Sequence, residues 1–245
     1  MRAGTRCAAA LTAAATLLAA CGSGGNGEAD KSAGAILSDV SAAVRGAHSY
    51  RLIFTGKDSS GDVNFEIDVA GKNNAKGSLT SQGATAEFVY SGSKFYLRGR
   101  QFFDKVAGAA VGQRIGDHWV SLPSASAGVT QLQEFTDPGK LADCIGSEHG
   151  TLSKSGTSSV NGKDAVVVVD AGDKPGTSPS KLYVATSGSP YPLKLEQTGP
   201  AKPGGSTTAC GGNSTTTQGT GVFDEYNSSI SVTTPKDAID ISTLG

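Results

Sequence analysis

The chain has 245 residues, of which Gly, Ser and Thr make up 85, while 18% are charged and 6% aromatic. At 37% hydrophobic it is too apolar for full disorder, too irregular for collagen, and too poor in Glu, Lys and Leu for a coiled coil. The first twenty residues carry Arg2 and Arg6 and no acid, so the net charge of −1 becomes −3 beyond them, and with no basic cluster to grip phosphates nucleic acid is set aside as a partner.

Arg2 and Arg6 precede an apolar run from Cys7 to Ala20, broken only by Thr12 and Thr16. That is the layout of a secretory signal, and the run is short for a bilayer span. It ends in Leu18-Ala19-Ala20-Cys21, which resembles a bacterial lipobox. The resemblance implies cleavage before Cys21, a diacylglyceryl group on its sulfur and a further acyl chain, such as palmitate, on the new amine. Two chains meet the requirement for stable anchoring, each buried CH₂ contributing roughly 0.8 kcal/mol. The competing reading is an ordinary signal whose last residue happens to be cysteine. The following Gly22-Ser23-Gly24-Gly25-Asn26-Gly27 matches G-x-G-x-x-G, but no strand precedes it. It reads instead as a flexible tether. The expected division is a signal over 1–20, an acylated Cys21 and tether over 21–32, and one domain over 33–245 on the outer face of the cytoplasmic membrane.

In residues 33–47, Ile36, Leu37, Val40, Val44 and Ala47 fall at helical spacing, with Ser32 or Asp30 as cap. Period-two alternation follows. Tyr50, Leu52 and Phe54 share one face, as do Val63, Phe65, Ile67 and Val69, and then Ala84, Ala86, Phe88 and Tyr90. Residues 75–81 form a polar strand of weaker signal, and 94–98 a further strand after the Ser91-Gly92-Ser93 turn. A short helix is expected over 101–112 and a strand over 117–122. Residues 130–144 read as helical in part, restarting at Pro138. Strands resume at 150–159, 163–170, 181–187, 192–198, 219–226 and 229–234, with a Pro/Gly/Ser/Thr loop over 199–218. The class is α+β: a large curved antiparallel sheet, a half-barrel of about ten strands. An N-terminal helix and one or two inserted helices cover its concave face.

No nucleophile elbow, zinc-protease, Walker or EF-hand sequence is present, and His48, His118 and His149 stand singly. The expectation is therefore no catalytic residue, no enzyme, no metal and no cofactor. Of the four cysteines, Cys7 leaves with the signal and Cys21 takes the lipid. Cys144 and Cys210 then pair in an exported domain, a bridge worth roughly 4 kcal/mol in the chain-entropy model. A metal pair is the alternative, and no histidine has ligand spacing to either cysteine.

The lipobox, the helix after the tether, Ser93-Lys94-Phe95-Tyr96-Leu97-Arg98, Trp119-Val120-Ser121-Leu122, Asp137-Pro138-Gly139-Lys140-Leu141, Asn161-Gly162-Lys163-Asp164 and Leu182-Tyr183-Val184 before Tyr191-Pro192-Leu193 together carry a resemblance. The layout resembles the LppX/LprG/LprA/LprF group of actinobacterial lipoproteins, whose fold is similar to the LolA and LolB carriers. The resemblance spans most of the mature chain. It implies an apolar cavity under the helices that holds acyl chains, a lipid or glycolipid ligand passed through the cell envelope, and an envelope transporter as a further partner. The Cys144/Cys210 pair and the 199–218 loop depart from the family pattern and bear on the mouth of that cavity. The candidate lining is Leu52, Phe54, Phe65, Ile67, Val69, Phe88, Phe95, Leu97, Leu182 and Leu195. The alternative function is a cell-surface interaction, sensor or accessory lipoprotein with a solid core.

Overall fold

The computed structural model describes residues 25–58, 61–123, 134–147, 149–204 and 218–243. The signal, the lipobox, Cys21, residues 130–133 of the expected second inserted helix and Cys210 lie outside the described residues.

Helix α1 spans Ala33–Arg45. Of the two expected caps Ser32 is used: its hydroxyl accepts from the Ala35 N–H at 3.3 Å, satisfying one orphan donor of the first turn. Ile36, Leu37, Val40 and Val44 form its buried stripe. Each such side chain contributes about 1.5–3 kcal/mol over its exposed state.

Five strands follow as a meander: β1 (Tyr50–Asp58), β2 (Gly61–Val69), β3 (Asn74–Ser81), β4 (Ala84–Ser91) and β5 (Lys94–Arg98). The single helix expected over 101–112 is two, α2 (Arg100–Val106) and α3 (Ala109–Ile115). Gly108 between them has φ +92°, a left-handed step that ends one helix and starts the next. Then come β6 (Val120–Pro123), α4 (Pro138–Ser147), β7 (Leu152–Val160), β8 (Lys163–Asp170), β9 (Ser180–Ala185), β10 (Pro192–Gln197), β11 (Gln218–Asp224) and β12 (Ile239–Asp240).

Among the described residues, twelve strands form one open, curved sheet in the order β12-β6-β5-β4-β3-β2-β1-β11-β10-β9-β8-β7. The expected α+β class holds, with two corrections. The sheet has twelve strands rather than about ten, and it is mixed, because β12 runs parallel to β6. The strand expected over 229–234 is absent. Both flanks of β11 are taken, by β1 and β10, so that segment has no edge to join. It crosses to the far edge and pairs only at Ile239 and Asp240.

Facing residues of antiparallel strands share a side of the sheet. Leu52 faces Ile67, Ile67 faces Gly77, Gly77 faces Phe88 and Phe88 faces Leu97. In the other direction Leu52 faces Phe223, and Phe54 faces Gly221, which leads through Leu195 and Leu182 to Val168. The stripe of α1, Phe102 and Phe103 of α2 and Leu141 of α4 join this side in one core cluster. A smaller cluster of Val160, Ala165, Val167, Tyr183, Ala185 and Leu193 lies on the opposite side of β7–β10. The valine run of β8 serves both clusters, hence its lack of alternation.

Candidate functional site

All ten candidate lining residues lie on the helix-covered side of the sheet, as the strand registers require. They are not equivalent. Toward the end where β1 begins, Ile67, Val69, Phe88 and Phe95 are at most 1% exposed, and Leu52 and Leu97 are also buried; Leu182, on the row of Phe54 and Leu195, is buried too. Toward the Lys57 end, Phe54, Phe65 and Leu195 are only half-buried. Phe54 stacks on Phe65 at 4.8 Å between centroids, and Phe65 meets Phe135 at 5.7 Å.

Glycines floor this half-buried end. Gly56 faces Gly219 across β1 and β11, and Gly221 lies two residues further along. A Cβ on Gly219 would stand 2.4 Å from the Phe54 ring, and one on Gly56 would stand 2.7 Å from it. The ring therefore lies flat on bare backbone. Gly77 plays the same part under Phe88, at 2.8 Å. Flat rings on glycine keep the floor low beneath the helices and present an apolar surface, bordered on the same face by Gln197 opposite Gly219 and Ser81 opposite Val63.

Sequence reasoning missed this floor, together with Phe135 and Phe223. The signal was there as glycines in phase with apolar residues, Leu52-x-Phe54-x-Gly56 and Gly219-x-Gly221-x-Phe223. Tyr50, placed on this face by its alternation but not among the candidate lining, donates its hydroxyl to the Phe135 carbonyl at 2.5 Å. Burial, and then the nearby Asp137 carboxylate, push the Tyr50 phenol well above its ordinary range. Burial does the same for Tyr226, whose ring lies 6.1 Å from that of Tyr50. Both are neutral struts.

One group of titratable side chains pairs on the outer side of the sheet. There Glu196 accepts from the Tyr183 hydroxyl at 2.6 Å and the Lys194 ammonium at 2.7 Å, and that ammonium sits 4.0 Å over the Tyr183 ring. The hydrogen bond from Lys194, then that from Tyr183, holds the Glu196 carboxyl below its ordinary 4.5. A depressed folded value means that the stabilisation is complete above about 4.5 and is lost as pH falls through the folded value. Glu196→Gln is thus expected to lower stability by less than about 1 kcal/mol at pH 7, and by nothing measurable near pH 2. Urea midpoints at the two pH values test this.

His48 and His118 are exposed and His149 half-buried, and among the described residues no three His, Cys, Asp or Glu side chains gather as a metal-ligand group. No helix of the described residues is long and apolar enough to cross a membrane.

No protein-family model and no curated protein sequence matches the chain. Solved structures do. LprF from Mycobacterium bovis aligns over 84% of this chain and 97% of its own, at 13% identity and a TM-score of 0.54. The Mycobacterium tuberculosis lipoprotein LppX aligns over 82% of this chain and 98% of its own, at 14% identity and a TM-score of 0.50. At these identities the likeness is one of architecture, and it agrees with the resemblance read from the sequence: the chain has the LprF- and LppX-type fold, an open curved sheet whose inner side is covered by helices.

Proposed function

We propose that the protein is an exported lipoprotein that receives the acyl chains of a lipid or glycolipid on the glycine-floored, half-buried end of its covered sheet face. It then presents or transfers them within the cell envelope, to a further carrier or to an envelope transporter. Anchoring on the outer face of the cytoplasmic membrane falls to acylated Cys21. The observation that carries this reading is the juxtaposition of half-buried Phe54, Phe65 and Leu195 with Gly56, Gly219 and Gly221. The Phe54, Phe65 and Leu195 side chains offer apolar contact to a chain, and each CH₂ leaving water there contributes about 0.8 kcal/mol. The fold shared with LppX, itself a lipoprotein, supports it.

The test is direct. The domain expressed without its signal and with Cys21 replaced is purified without detergent, extracted, and examined for lipid by mass spectrometry. About one lipid per chain, or saturable binding of added palmitate, is the expected result. No lipid and no saturable binding would favour the solid-core interaction protein. A specific observation speaks for that second reading. Two hollows lined by described residues lie on the surface: one of about 410 Å³ around Trp119 and Pro235, the other of about 430 Å³ between α1 and α4.

We also assign Cys210 as the partner of Cys144, which stands on α4 and takes part in a disulfide. Digestion without reductant is expected to give one peptide pair joined through residues 144 and 210. Free thiols at both positions would remove the bridge.

A further inference from the structure

The stretch expected to be a free tether up to Ser32 is docked from Gly25 onward. Gly25 bridges to Ser187, the Asn26 N–H donates to the Thr186 carbonyl at 2.8 Å, and Asn26 Nδ2 donates to the carbonyls of Ala185 (3.0 Å) and Gly188 (3.2 Å). The Glu28 N–H donates to Asn26 Oδ1 at 3.1 Å. Glu28 itself is buried, and Lys31 joins it to Asp39 of α1 at 2.6 and 2.7 Å. From β7, Lys154 Nζ donates to the Ala29 carbonyl at 2.8 Å. Residues 25–31 therefore form a clamp, and only residues 22–24 separate it from Cys21. Four residue steps reach at most about 14 Å.

The clamp decides from which end of the sheet the chain departs. Ala185 ends β9 opposite Ala165 of β8. Registers Val184↔Pro192, Lys194↔Val222 and Asp224↔Arg51 connect this end to the start of β1. The β2–β3, β4–β5 and β7–β8 turns open on the same end. They carry exposed Lys72, Lys94 and Lys163; Asp164, Asp240 near Lys94 and exposed Glu225, just past the end of β11, stand on the same end. Phe54 and Gly56 lie toward the other end of β1, whose seven steps from Tyr50 to Lys57 cover about 23 Å.

We infer that the turn end of the sheet, with Lys72, Lys94, Lys163 and the β9–β10 turn, is a membrane-facing surface that rests on anionic phospholipid headgroups, so that the glycine-floored end points away from the bilayer. The inference rests on acylation of Cys21 as proposed above. With so short a reach, the anchored domain cannot turn its far end to the bilayer while the clamp holds. Each lysine brought to an anionic surface strengthens the contact about fivefold at physiological salt.

The test uses the acylated full chain in vesicles of about three parts phosphatidylcholine to one part phosphatidylglycerol. A fluorescent amino acid is placed at Ser189, on the turn end, or at Gln82, on the far end, and quenching by headgroup-attached quenchers is read. Several-fold stronger quenching at Ser189 is expected. The contrast is expected to shrink in Asn26→Ala, which loosens the clamp, and in the triple variant Lys72→Gln, Lys94→Gln, Lys163→Gln. Equal quenching at both sites on a chain whose acylation is verified by mass spectrometry would overturn the orientation alone. A contrast unchanged in the triple variant would overturn the headgroup contact. An N-terminal peptide without acyl chains would overturn the anchoring reading itself, and this inference with it.

Discussion

Replacing Phe88 by alanine is expected to lower the unfolding free energy by about 3–5 kcal/mol. Phe88 is 1% exposed, stacks on Phe95 at 5.4 Å, and lies on Gly77. The glycine beneath it has no side chain to move into the vacated space, and the adjoining strands are fixed by their ladders. The cavity therefore collapses little, which puts the loss in the upper part of the range for large-to-small changes. Filling from below is closed as well, since a Cβ on Gly77 would stand 1.9 Å from the Glu66 carbonyl oxygen. Guanidinium midpoints with an unchanged denaturant slope measure the effect. A loss under about 1 kcal/mol would mean that this part of the face is hollow, and the division into a packed end and a receiving end would fail.

Phe65→Asp is expected to weaken palmitate binding at least tenfold while the domain stays folded. Phe65 sits between Phe54 and Phe135 at the half-buried end, where a carboxylate can remain hydrated in the free protein. An acyl chain laid across it must strip that hydration, a cost on the order of the transfer penalty of an unpaired polar group, a few kcal/mol. Val106→Asp is the control, because Val106 is an apolar residue already 54% exposed. Circular dichroism melts separate lost binding from lost fold. Unchanged affinity in a folded Phe65→Asp protein would place the chains elsewhere.

Most of the sheet was legible because alternation is a local signal. Val63, Phe65, Ile67 and Val69 in β2 repeat every second residue, so the inner face could be written down strand by strand. What alternation does not encode is depth. Phe65 and Phe88 look alike in sequence, yet one is half-buried and the other sealed, because depth depends on what the helices cover. Nor does it encode who the neighbours are. Ile230 and Val232 alternate like a strand, but β11 already had β1 and β10 beside it. The clamp at Gly25–Lys31 was hidden for a different reason. Its glycines read as flexibility, while its attachment runs through backbone groups, the amide of Asn26 and a buried Glu28, none of which leaves a periodic trace.

The claim that the glycine-floored end receives acyl chains is tested most directly by photo-crosslinking with a palmitate analogue bearing a diazirine near its methyl end, followed by peptide mapping. Adducts are predicted on β1, β2 and β10, centred on Phe54, Phe65 and Leu195, and are competed away by unmodified palmitate. Adducts confined to the α1–α4 hollow, or labelling that palmitate does not compete, would contradict the account.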